Sequence, residues 1–202
     1  MVKIIGICGG SGSGKTSFVN SLKDKLQSED VCFISFDNYY KPRDLQQEDE
    51  NGVKNFDLPE SMEMDQFLSD LDELKSGKSI IKKEYTFNNE LSTPKDIEIK
   101  SAPLIIIEGL FIYHYEELRT QFDLKLFITA DDEIKIIRRI RRDQIERNYP
   151  LDDVLYRYKN HVIPAYKQYI EPYLNEMDLI INNNQSYERA VDVIAAYAKS
   201  VI

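Results

Sequence analysis

The chain has few of the features that mark secreted, membrane-spanning or repetitive proteins. It contains only two cysteines, both inside apolar runs, and two such residues form neither a disulfide framework nor a metal site. No apolar run reaches the length of a membrane span, and the first residues lack the charged and then apolar pattern of a signal sequence. No internal repeat or low-complexity tract stands out. A cytoplasmic location is therefore predicted.

Basic residues are fewer than acidic ones, 26 against 35. The formal net charge is −9 at pH 7, and a nucleic-acid backbone or an anionic membrane surface would repel such a chain. Neither is therefore expected as a partner, and any basic site must be local. The length suits a single α/β domain over residues 1–202, with an apolar content typical of globular proteins.

A phosphate-binding loop follows the first apolar run. Residues 9–16 read Gly-Gly-Ser-Gly-Ser-Gly-Lys-Thr, the full G-x-x-x-x-G-K-[ST] pattern between a strand-like run and a helical pattern over residues 16–26. In such a loop the backbone N–H groups surround phosphate oxygens, the lysine reaches the β and γ oxygens, and the threonine ligates Mg²⁺. The predicted binding residues are Gly9, Gly10, Ser11, Gly12, Ser13, Gly14, Lys15 and Thr16. The chain is thus predicted to bind a nucleoside triphosphate.

Short apolar runs alternate with helical patterns along the rest of the chain. The predicted strands are residues 3–8, 31–36, 104–107, 125–129 and 178–181. Further helices are predicted over residues 61–74, 131–146, 151–169 and 187–202. This alternation predicts an α/β fold of the P-loop NTPase type, a parallel sheet with helices on both faces and ligands at the carboxyl ends of its strands.

Two segments interrupt the alternation. Residues 41–55 are polar and acidic, which predicts a loop. Residues 79–100 hold short alternating stretches around Phe-Asn-Asn-Glu, which predicts a β-hairpin inserted before the third strand of the sheet.

Two carboxylates come directly after predicted strands. Asp37 follows the run that ends at Phe36, where it could take the proton of a hydroxyl substrate or, equally well, cap a turn. Glu108 follows the run 104–107, at the position where phosphate-loop proteins hold the water shell of magnesium. Thr16, Glu108 and Asp37 are therefore the candidate Mg²⁺ ligands, acting largely through water.

One segment is strongly basic. Between residues 135 and 147 there are six Lys or Arg residues against two acids, a local excess that is costly on one helix without an anion nearby. The spacing puts Lys135, Arg139 and Arg142 along one face. It predicts an Arg-rich lid over residues 135–160 that closes on the transferring phosphoryl group. The alternative is a solvated helix paired with surrounding acids.

Several motifs occur together in a specific order. The combination resembles the uridine/cytidine kinases from the first strand to Asn182. The motifs that carry this resemblance are the phosphate loop, Ser-Phe-Asp37-Asn-Tyr-Tyr40, Asn-Phe56-Asp57-x-Pro, Tyr85-x-Phe87, Ile-Ile-Glu108-Gly and Arg138-Arg139-x-x-Arg142-Asp143-x-x-Glu146-Arg147.

The resemblance implies ATP-dependent phosphorylation of the 5′-hydroxyl of a pyrimidine nucleoside, in pyrimidine salvage. It implies that Asp37 is the base, that Asp57 holds the ribose and that the chain forms a homotetramer. The catalytic residues implied are Lys15, Asp37, Arg139 and Arg142. The substrate-binding residues implied are Tyr40, Phe56, Asp57, Tyr85, Phe87, Glu90, Arg139, Arg142 and Arg147.

Three positions depart from the family pattern. Five residues after Tyr85, where the family usually has a histidine that bonds the pyrimidine, this chain has Glu90. An ionised carboxylate only accepts hydrogen bonds, so it favours the cytosine amino group over the uracil carbonyl. Tyr149 and Arg157 stand where the family has an arginine and a glutamine, which alters base and lid contacts.

Two alternatives remain open. One is a related P-loop kinase for another small hydroxyl substrate, of the pantothenate or sugar-phosphate type. The weaker one is a nucleotide-dependent switch or binding module of the GTPase type. Guanine-binding proteins usually carry Asn-Lys-x-Asp, which this sequence lacks, and its single Asp-x-x-Gly, residues 49–52, lies in the polar loop.

Overall fold

The computed structural model describes residues 2–87 and 93–202. Its strands, in chain order, are β1 (Lys3–Cys8), β2 (Val31–Ser35), β3 (Ile80–Lys83), β4 (Asp96–Ile99), β5 (Leu104–Glu108), β6 (Leu124–Thr129) and β7 (Leu179–Asn182). Five of them form one sheet in the order β2-β5-β1-β6-β7, with every neighbouring pair parallel. The predicted parallel α/β sheet is therefore confirmed.

The helices, in chain order, are α1 (Lys15–Leu26), α2 (Met64–Lys75), α3 (Glu116–Arg119), α4 (Asp132–Ile145), α5 (Leu151–Arg157), α6 (Ile163–Ala165) and α7 (Glu188–Val201). The segment predicted as one helix over residues 151–169 contains wider turns at Tyr158–Val162 and Tyr166–Ile170. The N–H of Ile163 bonds to the carbonyl of Tyr158, five residues back. Pro164, which follows, has no N–H to continue the regular pattern, so the helix widens here.

Both faces of the sheet are buried, which explains why its strands read as continuous apolar runs. Alternate residues of β1 point to opposite sides. Ile5 and Ile7 pack in the core under α1 and α7, whereas Ile4 and Cys8 pack in the core that contains Phe67 of α2. Of the described helices, none is both long and apolar enough to cross a membrane.

The inserted segment forms a small sheet of its own. Strands β3 and β4 pair antiparallel, with Ile80 opposite Ile99, inside the hairpin predicted over residues 79–100. The residues between Phe87 and Thr93, and with them the predicted base contact Glu90, lie outside the described ranges.

Two boundaries differ from the prediction in ways that affect the site. Strand β2 ends at Ser35, and Phe36–Tyr39 forms a single 3₁₀ turn, so Asp37 lies inside a turn rather than directly after the strand. Helix α2 begins at Met64 rather than at residue 61, because Pro59–Ser61 forms a separate turn.

Candidate active site

The phosphate loop joins β1 to α1 at the carboxyl edge of the sheet. Gly12 and Gly14 have φ angles of +81° and +96°, which side-chain-bearing residues rarely adopt. A Cβ at Gly12 would also collide with the backbone of Lys135 in α4. Lys15 Nζ donates to the carbonyls of Gly9 at 2.8 Å and Gly10 at 3.3 Å. Gly12 is thus required by the packing of α4 as well as by the turn.

One side chain that the sequence analysis missed, Asn183, supports this loop, and Arg138 of the basic motif supports Asn183 in turn. Asn183, which is 4% exposed, donates from Nδ2 to the Ser13 carbonyl at 2.8 Å. Arg138 Nη2 donates to the carbonyl of Asn183 at 3.0 Å. Asn183 comes directly after β7, and a polar residue at the carboxyl end of a parallel strand was the signal that could have identified it.

A cleft of about 430 Å³ opens beside the loop. The predicted site residues that line it are Ser11, Gly12, Gly14, Lys15, Thr16, Asp37, Tyr40, Phe56, Asp57, Tyr85, Phe87, Arg139, Arg142 and Arg147. Gly9, Gly10, Ser13 and Glu108 are not part of its lining. The cleft therefore joins the phosphate loop to the aromatic residues in a single cavity.

Four aromatic side chains form part of the wall of the cleft. Tyr40 lies 6.1 Å from Phe56 and 5.1 Å from Tyr85, measured between ring centroids. Phe87 stands edge-on to Tyr85 at 5.1 Å, and the guanidinium of Arg147 lies 3.9 Å from the Phe87 ring centre. This arrangement offers flat apolar surface with one cation at its margin, a setting suited to a small planar ring.

Asp37 lies on the cleft between the phosphate loop and the arginines of α4. Desolvation raises the pKa of its carboxyl group, and the charges of Lys15, Arg147 and Arg142 act in the opposite direction. The charge of Asp57 raises it further. A carboxyl group in this position is poised to exchange a proton with a bound hydroxyl.

Glu108 is buried behind the cleft. Its side chain is 6% exposed, and Oε1 accepts a hydrogen bond of 2.6 Å from Ser35 Oγ. Burial, followed by repulsion from Asp37, raises the pKa of Glu108 to about 7, against an ordinary value of 4.5. Two carboxyl groups that repel each other in a buried setting suit a site for a divalent cation.

Replacing Glu108 with glutamine should stabilise the metal-free protein much more at pH 8 than at pH 5. Because the folded-state pKa of Glu108 lies above its unfolded value, the parent loses stability as pH rises from about 4.5 to about 7. Glutamine carries no charge and can still accept from Ser35. Denaturant unfolding in EDTA should show a gain of roughly 1–3 kcal/mol at pH 8. A gain of equal size at both pH values would contradict this origin of the shift.

Asp143 pairs with three arginines of the basic segment. Its side chain is 4% exposed and lies 3.2 Å from Arg139 Nε, 2.8 Å from Arg142 Nη2 and 3.3 Å from Arg147 Nη1. Arg139 also donates to Ser11 Oγ at 2.8 Å. Arg139 and Arg147 each lie four residues from Asp143, a helical spacing that could have identified this acid. The basic segment thus pairs with an acid and lines the cleft at the same time.

Arg139→Ala and Arg142→Ala should each reduce kcat/KM by roughly 10- to 10²-fold, because each removes a fixed positive charge from the cleft. Arg141→Ala is the matched control, since Arg141 lies on the same helix with an exposed side chain. Steady-state kinetics on purified, folded variants gives the comparison. Small and equal losses at all three positions would instead support the solvated-helix alternative.

The other two departures from the family pattern are in the cleft. Tyr149 and Arg157 both line it, with the Arg157 guanidinium 5.6 Å from the ring centre of Tyr149. Arg157 Nη1 donates to the carbonyl of Lys54 at 2.7 Å. These two residues therefore belong to the lining of the cleft.

The comparison with known proteins agrees with the motif pattern. The family model described as phosphoribulokinase / uridine kinase matches residues 4–189. A uridine kinase of Brevibacillus brevis is 35% identical, covering 98% of this chain and 93% of its own length. Uridine kinases of Limosilactobacillus reuteri and Staphylococcus aureus are each 33% identical over 98% of this chain, and over 91% and 96% of their own lengths.

Solved structures share the fold at lower identity. A possible uridine kinase from Bacillus stearothermophilus superposes with a TM-score of 0.62 at 20% identity, covering 89% of this chain and 88% of that one. Phosphoribulokinase from Rhodobacter spheroides gives 0.65 at 18% identity, over 90% of this chain and 70% of that one. The P-loop kinase fold predicted from the sequence is confirmed, and the chain belongs to the phosphoribulokinase/uridine kinase family.

Proposed function

We propose that this protein transfers the γ-phosphoryl group of ATP to the 5′-hydroxyl of a pyrimidine nucleoside. The observation that carries the proposal is a single cleft lined both by the phosphate loop and by four aromatic side chains. A nucleotide switch has no use for an acceptor pocket beside its phosphates. Relatives named uridine kinase, at 33–35% identity over nearly the whole chain, supply the acceptor class.

The residues of the loop side handle the triphosphate. Backbone N–H groups of residues 9–16 surround the phosphates, and Lys15 turns from the loop carbonyls toward the β and γ oxygens. Arg139 and Arg142 add positive charge where the equatorial oxygens of the transferring group develop negative charge. The proposed contribution of these side chains is therefore electrostatic and positional.

The residues of the opposite side hold the acceptor. The rings of Tyr40, Phe56, Tyr85 and Phe87 pack against the base, and the carboxylate of Asp57 accepts from ribose hydroxyls. Asp37 lies between the two sides, where it orients the 5′-hydroxyl and takes its proton. Thr16, Glu108 and Asp37 would hold Mg²⁺, which supplies positive charge to the triphosphate oxygens.

A coupled ADP-release screen tests this proposal. We expect uridine or cytidine to give the highest kcat/KM in a panel with purine nucleosides, pantothenate and sugar phosphates. Turnover of pantothenate or a sugar phosphate alone would move the protein to another acceptor within the same fold. Hydrolysis that no alcohol accelerates would instead favour the nucleotide switch. Cytoplasmic location and a homotetramer remain predictions of the sequence.

Cytidine should be the better of the two pyrimidine substrates. Glu90 would accept from the cytosine amino group but repel the uracil O4, and a mispaired polar group costs about 1–3 kcal/mol. Glu90→His should therefore shift the uridine-to-cytidine ratio of kcat/KM toward uridine by about 10-fold or more. A parent enzyme that prefers uridine would show that Glu90 does not contact the base.

A further inference from the structure

One carboxylate ties the polar loop to α5 and to the wider turn that follows it. Asp49 belongs to the loop predicted over residues 41–55, and its Oδ2 accepts from Tyr156 Oη at 2.8 Å. The same oxygen lies 2.7 Å from Nε2 of His161, a residue only 2% exposed and 112 positions further along the chain. The rings of Tyr156 and His161 meet edge to face at 5.9 Å. The contact is thus a defined, partly buried junction between distant segments.

The second oxygen of Asp49 shapes the loop itself. Oδ1 accepts from the backbone N–H groups of Asn51 and Val53, both at 2.9 Å. The N–H of Asp49 donates to the carbonyl of Val53 at 3.0 Å, and Gly52 between them has a φ of +74°. The carboxylate therefore closes a tight turn with one oxygen and attaches that turn to the helix with the other.

Two further hydrogen bonds cross the same junction. Asn51 Nδ2 donates to Tyr156 Oη at 2.7 Å, and Arg157 Nη1 donates to the carbonyl of Lys54 at 2.7 Å. Desolvation acts to raise the pKa of Asp49, but the hydrogen bonds from His161, Val53, Tyr156 and Asn51 together hold it below its ordinary value. The group is therefore ionised at neutral pH, the state in which it accepts from all its donors.

Both partners of this junction continue into the cleft. Beyond Lys54, the loop continues to Phe56 and Asp57, which line the cleft. On the other side of the junction, α5 carries Val154 and Arg157, which also line it. Hydrogen bonds run through the loop toward the cleft: the N–H of Asn55 donates to the Gln47 carbonyl at 2.8 Å, and the N–H of Asp57 donates to Asn55 Oδ1 at 2.9 Å. A shift of the turn at Asp49 would therefore also displace Phe56 and Asp57, which line the cleft.

We infer that Asp49 is a positioning residue for acceptor binding, acting through its hydrogen bonds to Tyr156 and His161. It is absent from the cleft lining, so its effect passes through Phe56, Asp57 and Arg157. The phosphate loop takes no part in the junction. Asp49 thus sets the affinity for the acceptor while leaving ATP binding unchanged. The identity of that acceptor rests on the proposed function.

Kinetics on variants from both sides of the junction tests the inference. Asp49→Asn and His161→Phe should each raise the acceptor KM about 10-fold, which corresponds to the loss of a hydrogen bond to a charged group. The ATP KM and kcat should stay within about 2-fold. His161→Gln keeps a donor and should recover most of the affinity, whereas a purely structural defect would lower the active fraction and kcat in every variant.

Asp44→Asn is the matched control, because Asp44 is an exposed acid of the same loop whose carboxylate bonds to no other described residue. It should behave as the parent. A raised ATP KM in the Asp49 and His161 variants, or an unchanged acceptor KM in both, would overturn the positioning role.

Amide hydrogen exchange in the substrate-free protein separates this inference from the choice of acceptor. His161→Phe should speed exchange of the Asn51, Val53 and Asp57 amides, although the substitution is on another segment, while amides of β1 and α1 exchange as in the parent. If neither pyrimidine is phosphorylated, the proposed function fails. The exchange result still shows whether His161 holds the loop in place. Unchanged loop exchange in His161→Phe would show that the helix does not hold the loop.

Discussion

Replacing Lys15 with alanine should abolish measurable turnover, a loss of roughly 10³-fold or more, while the protein stays folded. The lysine is a point charge for the β and γ phosphates, and few other groups can replace it at that position. Among the described residues, its Nζ bonds only to the loop carbonyls of Gly9 and Gly10, at 2.8 Å and 3.3 Å. The stability cost should therefore be about 1 kcal/mol. ADP release at saturating ATP and acceptor gives the kinetic loss.

The control for this variant is Lys25→Ala. Lys25 lies on the same helix, and its exposed side chain pairs with Asp192 of α7, an interaction of small energetic value. Both variants should unfold near the parent temperature, and only Lys15→Ala should lose activity. Retained turnover in folded Lys15→Ala would remove the phosphate loop from the mechanism.

Most of the fold could be predicted because its signals are local. A strand buried on both faces must be apolar at successive positions, and Leu104 to Ile107 shows this directly. The glycine pattern before Lys15 is equally local, because a turn with φ near +90° and close packing tolerates little else. The predicted end of β2 was wrong by one residue, because Phe36 is apolar like the strand but already belongs to the 3₁₀ turn.

The parts that could not be predicted depend on contacts between distant segments. Asp49 and His161 are 112 positions apart, and nothing in either local pattern specifies the other. Asn183 is recognisable only as a polar residue after a strand, and the carbonyl of Ser13 that it supports carries no sequence signal. Asp143 is intermediate: its spacing to Arg139 and Arg147 is readable, whereas its burial depends on how α4 packs against the loop.

Asp37→Asn should lower kcat by roughly 10²-fold or more, with a much smaller change in the acceptor KM. Asparagine has nearly the same shape and keeps the turn of residues 36–39, but it cannot take a proton. The carboxyl group lies on the cleft under the influence of Lys15, Arg142 and Arg147, so it is close to the groups proposed to hold the transferring phosphoryl. Steady-state kinetics with ATP and acceptor varied separately resolves the two parameters.

Asp57→Asn is the contrasting variant, because Asp57 lines the same cleft on the loop that carries Phe56. It should raise the acceptor KM about 10-fold and change kcat little, since it removes binding that is equal in the ground state and the transition state. If neither kcat nor the acceptor KM changes in Asp37→Asn, Asp37 is only a turn residue. A raised KM with kcat intact in both variants would mean that both carboxylates hold the acceptor and neither takes its proton. A loose transition state permits that outcome, because the hydroxyl can then lose its proton late, to the transferred phosphoryl oxygens.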